Sequence, residues 1–164
     1  MSATTIDTKA VQRRALRFTT MADLTRELDA LEAAERSGRL KIRGNWQPGQ
    51  VIGHLATWAE FTYNGNPLKP PWIVRFIVKR RKNRYLNQGL PAGVRIPRIK
   101  DGTLGTEHQP FEQALARYRR VLDRLDREVP TLPNVIFGPL THEEWKALQF
   151  RHAELHLGFL DPGA

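Results

Sequence analysis

THEEWKALQFRHAELHLGF, residues 141–159, is the stretch whose reading decides the fold. Thr141 followed three residues later by Glu144 forms a capping box, and Trp145, Leu148, His152, Leu155, His156 and Phe159 recur at three-four spacing. This is one amphipathic helix with His152 and His156 a turn apart on its apolar face. A second apolar stripe, Val51, His54, Leu55, Trp58 and Phe61, places another histidine on the inward face of another helix. One histidine on an apolar face is more often a hydrogen-bonded core residue than a ligand. His54, His152 and His156 turned towards one core instead point to a bound divalent metal.

Outward from these two helices the remaining punctuation is clear. The histidine-bearing second helix, 48–63, opens on Gln47-Pro48-Gly49, where proline suits the first turn, and stops at Asn64-Gly65-Asn66-Pro67. Trp46, just before it, is expected to pack back on its first turn. A first helix, 20–36, is capped by Thr19 or Thr20, carries Leu24, Leu28 and Leu31 as a stripe, and ends at Ser37-Gly38. A third, 110–129, aligns Phe111, Leu115, Tyr118, Leu122, Leu125 and Val129 and is closed by Pro130 and Pro133. Four helices without a strand pattern predict an all-α four-helix bundle. Residues 1–17, polar and without periodicity, are expected as a loosely held N-terminal arm, and 18–164 as a single domain.

Histidine depth gives a topology. At ~1.5 Å per residue, His54 lies roughly 10 Å from the start of its helix, and the other pair about 6–12 Å from the end of theirs. The rings meet at one level if the second and fourth helices are antiparallel. Short connectors make the first and second, and the third and fourth, antiparallel too, so the second and third run parallel. The order is up-down-down-up, with a long crossover at 67–108 holding a short helix at 72–84 and a Gly- and Pro-rich loop at 88–105.

Of the formal charge of +9, the crossover region holds the excess: ten Lys or Arg and no Asp or Glu lie between Phe61 and Lys100. Lys79, Arg80, Arg81, Lys82 and Arg84 are the densest run. They suit capture of an anionic small-molecule substrate or thiol cofactor, contact with a phosphate backbone, or an acidic membrane surface; a solvated face is the plain alternative. No nucleic-acid fold motif accompanies the run, which argues against sequence-specific nucleic-acid binding. With 40% hydrophobic and 26% charged residues, the 164-residue chain has the composition of a soluble globular protein. The absence of cysteine excludes disulfides and thiolate metal ligands. Arg13-Arg14 is not followed by the apolar stretch an export signal needs, and no segment has transmembrane length, so a cytoplasmic location is expected.

Three histidine ligands leave positions open for water or substrate, the arrangement of a catalytic site, and suit Zn, Ni, Fe or Cu. Glu154 is two residues past His152, about 200° round the helix, so metalloprotease chemistry is not expected. Gln50 and Gln149, each a turn before a histidine, are candidates to orient a ligand, and Trp58 to wall the pocket. His108 and His142 sit at helix starts and are expected at the surface; Tyr63 and Tyr118 are candidate proton donors.

Residues 45–55, NWQPGQVIGHL, together with Phe137-Gly138-Pro139-Leu140-Thr141 and Arg151-His152-Ala153-Glu154-Leu155-His156, resemble the DinB/YfiT-like metal-binding four-helix bundles, in a branch of unknown function. The resemblance implies the up-down-down-up order, a metal triad at His54, His152 and His156, Zn or Ni as the metal, and frequent homodimers. It also implies chemistry of the kind some members perform, transferase or isomerase reactions with low-molecular-weight thiols. A metal-dependent enzyme is therefore the first functional expectation. A non-catalytic basic module binding nucleic acid or an acidic partner is the alternative, and a metal-stabilised bundle without turnover a third.

Overall fold

A computed structural model describes residues 6–8, 10–99 and 102–163. The fold is mostly helical: α1 (Met21–Arg36), α2 (Pro48–Asn64), α3 (Trp72–Arg80), α4 (Lys82–Gln88), α5 (Phe111–Arg127) and α6 (His142–Leu157), with β1 (Lys41–Ile42) and β2 (Leu160–Asp161). No helix among the described residues is long and apolar enough to cross a membrane.

The four long helices form for the reasons legible in the chain. Thr20 and Thr141 each close a capping box, with Asp23 and Glu144 returning a bond to the cap backbone. α2 starts on Pro48 and stops at Gly65, whose φ of 83° a side chain would resist. Leu24, Leu28 and Leu31 of α1, Ile52, Leu55 and Ala56 of α2, and Ala114, Leu115 and Tyr118 of α5 share one buried cluster with Phe150, Ala153 and Leu157 of α6. α2 packs chiefly along α5, α1 also rests on α5, and α6 lies against α2 and α4. Val129, expected on the apolar face of the third helix, is exposed, because α5 ends at Arg127 and Glu128 is already extended.

Three features depart from expectation. The single helix expected at 72–84 is two, broken at Arg81 (φ −99°, ψ 10°). A continuous helix would set Arg80 and Arg84 one above the other; just past the break Lys82 pairs with Glu144 at 2.5 Å. A two-residue antiparallel ladder, Lys41 with Asp161 and Ile42 with Leu160, ties the connector after α1 to the chain beyond α6. Strands this short carry no alternation to read. Third, the histidines of α6 do not share its core-facing side. Phe150, Ala153 and Leu157 face the apolar cluster, while His152 and His156 stand on a neighbouring, partly exposed face.

Within the segment expected as an arm, described residues are tied to α6 and its end. Arg14 N–H donates to Gly158 O at 2.9 Å, Arg14 Nε to Leu160 O at 2.6 Å, and the Arg14 guanidinium pairs with Glu27. Just beyond it, Phe18 is buried in the core, its N–H donating to Glu154 Oε1 at 2.7 Å and its carbonyl accepting from Arg151. Glu154 thus turns from the histidines to the N-terminal chain, where it also pairs with Arg151 at 2.8 Å.

One core group stands out. Tyr118 is fully buried, and among the described residues no group accepts from or donates to its hydroxyl. A buried hydroxyl without a partner carries a desolvation cost with no offset. Tyr118→Phe should therefore leave stability unchanged or raise it, by up to about 1 kcal/mol, in chemical denaturation. A loss of more than that would reveal a bound partner for the hydroxyl.

Candidate metal centre

The site is assembled by α2, α6 and the loop that precedes α5. His54 lies in the second turn of α2, and His152 and His156 stand on consecutive turns of α6. One ring nitrogen from each lies within 4.8 Å of the other two. The His54 and His152 Nε2 atoms are 3.1 Å apart. An ion held by nitrogens at ~2.0–2.1 Å in a tetrahedral shell sets its ligand atoms roughly 3.3 Å apart, so this edge already has metal-site dimensions. The three rings meet edge to face, at centroid distances of 5.0, 4.5 and 4.8 Å. The cluster can hold a metal ion.

His54 is held in a definite tautomer. Its Nδ1 lies 2.7 Å from the Leu104 carbonyl, which can only accept, so Nδ1 carries the proton and Nε2 presents its lone pair to the cluster. A backbone carbonyl in this role fixes the ring and raises its basicity as a ligand. The same carbonyl accepts from Trp58 Nε1 at 3.3 Å. Gly105 makes the close approach of this loop to α2 feasible: φ is 77°, and a Cβ there would meet the Thr57 Cβ at 2.7 Å. Gln50 Nε2 donates to Thr106 O at 2.8 Å and pins the next residue of the loop. Gly49 and Gly53, a turn apart, leave room for Gln109, whose atoms a Cβ would meet at 2.0 and 1.8 Å.

The residues proposed from sequence thus fall into different places. Trp58 borders the site, its ring 6.0 Å from His54 and 5.9 Å from His152. Gln50 is turned to backbone at both ends of its amide, since its Oε1 also accepts from Gln47 N–H at 2.9 Å; it shapes the loop instead of facing the rings. Gln149 is buried, its Nε2 donating to Thr62 Oγ1 at 3.3 Å, and its Oε1 has no partner among the described groups. Lys79 and Arg80 end α3, Arg81 is the break, and Lys82 and Arg84 belong to α4. His108 is exposed, while His142 Nε2 bonds the Leu125 carbonyl at 2.5 Å. The Tyr63 hydroxyl donates to Glu128 O at 2.7 Å, and Tyr118 belongs to the core, so neither hydroxyl is shown at the rings.

Sequence reasoning missed two participants. Trp46 reaches past the first turn of α2, stacking on His156 at 5.6 Å with 9° between planes and tilting against His54 at 5.2 Å. Its position just before an N-cap was a signal only for contact with the first turn. The Leu104 carbonyl had no side-chain signature at all; the nearest clue was Gly105 in a loop set beside a histidine helix.

Desolvation pushes all three imidazoles towards the neutral form, although His152 and His156 keep some exposed surface. It lowers the His54 pKa from 6.5 to about 4 and outweighs the stabilising pull of Leu104 O and Glu107. Burial also lowers His152 and His156 well below the ordinary value, with further lowering from the neighbouring histidines and, for His156, from Arg13. Neutral rings are the form that ligates. In metal-free protein, the unfolded chain takes up protons near pH 6.5 while folded His54 waits until about 4. Stability is therefore full above 6.5 and falls as pH drops through this window, by on the order of 3 kcal/mol for His54 alone. Denaturation of chelator-treated protein should show that decline, with His54→Gln flattening it; an identical profile for both proteins would mean the ring titrates normally.

No curated protein and no solved structure matches the chain. A family model does, covering residues 10–163 and therefore including all three histidines, Trp46, Trp58 and the Leu104 loop. The chain belongs to DUF1569, a family of proteins of unknown function.

Proposed function

We propose that this protein is a metal-dependent enzyme in which His54, His152 and His156 hold one divalent ion, Zn or Ni, within a DinB-like four-helix bundle. The observation that carries the reading is the convergence of ring nitrogens from α2 and α6 within 4.8 Å, with His54 already fixed in the ligating tautomer. In the bundle, α1, α2, α5 and α6 are the up-down-down-up helices. The packing of α2 along α5, although a long basic connector separates them in the chain, supports that order. The folded domain takes in residues 10–17, through the bond from Arg14 N–H to Gly158 O at the end of α6.

A bound ion with three protein ligands supplies Lewis acidity and lowers the pKa of a water or thiol at its open position. The chain supplies the rest. Leu104 O orients His54, the indoles of Trp46 and Trp58 limit water around the rings, and the partly exposed edges of His152 and His156 leave a way in. Gln149 Oε1, lacking a partner among the described groups, is available as an acceptor one turn from His152. The basic crossover, Lys79 to Arg84, would favour an anionic small-molecule substrate. We place the protein in the cytoplasm, as a homodimer, on the DinB-like resemblance and the absence of cysteine.

Ni-loaded protein mixed with a low-molecular-weight thiol tests the open position directly. A thiolate-to-nickel charge-transfer band is expected, abolished by chelator. A loaded protein that gives no band and turns over neither thiol-transfer nor hydrolytic substrates would reduce the ion to a structural role.

A further inference from the structure

α3 is a nine-residue helix in which no residue is buried. Five of the ten large apolar side chains exposed among the described residues stand on it: Trp72 (74%), Ile73, Val74, Phe76 and Ile77. At about 100° per residue they spread over roughly 200° of the helix, with Arg80 falling between Phe76 and Ile73 and the half-buried Val78 at the edge. Soluble surfaces scatter such side chains singly; a contiguous patch on one short helix marks a docking face. The helix is anchored to the body through α4, which buries Leu86 and pairs Lys82 with Glu144 on α6. Its exposed face is thus presented outward from a fixed base.

Charge selects the occupant. Arg75 and Lys79 flank the apolar arc, Arg80 folds over the Phe76 ring at 4.7 Å, and Arg81 and Arg84 come next along the chain, in a region without a single acidic residue. A second copy docked by two-fold symmetry would set this cationic patch against itself. Nucleic acid would satisfy the cations but not the aliphatic Ile73, Val74 and Ile77, which offer no stacking surface. An anionic lipid surface satisfies both: apolar side chains enter the headgroup–acyl boundary while arginine and lysine remain at the phosphates. We propose that α3 docks this protein on anionic membrane surfaces, peripherally and reversibly, independently of the metal centre.

The protein floated with phosphatidylcholine vesicles, with and without phosphatidylglycerol, tests this. Binding is expected only with the anionic lipid, with a blue shift of Trp72 emission. Trp72→Ala/Phe76→Ala, both at exposed positions and so without effect on folding, should remove it. Arg80→Glu/Arg81→Glu should weaken it by about tenfold or more, and added salt should weaken it too. Failure to bind anionic vesicles at low salt overturns the proposal. So does equal binding to both vesicle types, self-association that the Trp72/Phe76 variant abolishes, or binding of RNA or DNA in preference to vesicles.

Discussion

His152→Ala protein is expected to fold but to purify without stoichiometric divalent metal. The ring is one corner of a near-equilateral triangle, its Nε2 3.1 Å from His54 Nε2 and its centroid 4.8 Å from that of His156. Truncation leaves two imidazoles, a donor set that releases its ion readily. Spread over its ligands, the binding free energy of a zinc site assigns each enough to lower affinity on the order of a hundred- to a thousandfold. The fold should survive, because His152 is partly exposed and lies outside the apolar cluster of Phe150, Ala153 and Leu157. Elemental analysis and circular dichroism on the same preparation decide it: metal lost with the helical spectrum intact is the expected outcome. Full occupancy in the variant would mean that the ion sits elsewhere.

Gly105→Ala should damage both stability and metal binding, although residue 105 touches no ligand atom. Its φ of 77° strains any side chain, and the new Cβ would lie 2.7 Å from the Thr57 Cβ on α2. Relief requires the loop to lift from α2, taking the Leu104 carbonyl from His54 Nδ1 and Trp58 Nε1. The expected result is a stability loss of about 2–4 kcal/mol from strain and a buried clash. Metal affinity should fall by about ten- to a hundredfold through loss of the orienting carbonyl. Gly38→Ala is the control, for its φ is 67° with nothing within 4 Å of the new Cβ. It should show strain alone, with metal affinity unchanged in a chelator-competition titration. If Gly105→Ala binds metal as the control does, the carbonyl is not an orienting group.

What the chain disclosed by itself tracks the reach of local signals. Capping at Thr20 and Thr141, Pro48 at a helix start and the leucine stripe of α1 are local, and those helices occur within a residue or two of where the pattern puts them. His54, His152 and His156 were likewise readable, because three-four spacing fixes which side chains share a face. Spacing could not say that the histidine face of α6 adjoins the apolar core instead of entering it, since that depends on how α6 is rotated against the other helices. The break at Arg81 leaves no mark in the spacing of apolar residues, which runs on through it. Trp46, the Leu104 carbonyl and the β1–β2 ladder are joined by contacts across long sequence distances, and no motif announces them.

The most direct measurement is an anomalous difference map at the metal edge, from crystals of protein purified without chelator. One peak, roughly 2.0–2.1 Å from a ring nitrogen of each of His54, His152 and His156, with at least one further position on the ion open, is the predicted result. Metal-loaded crystals with no peak among those rings, or with the peak bound by other side chains, would contradict it.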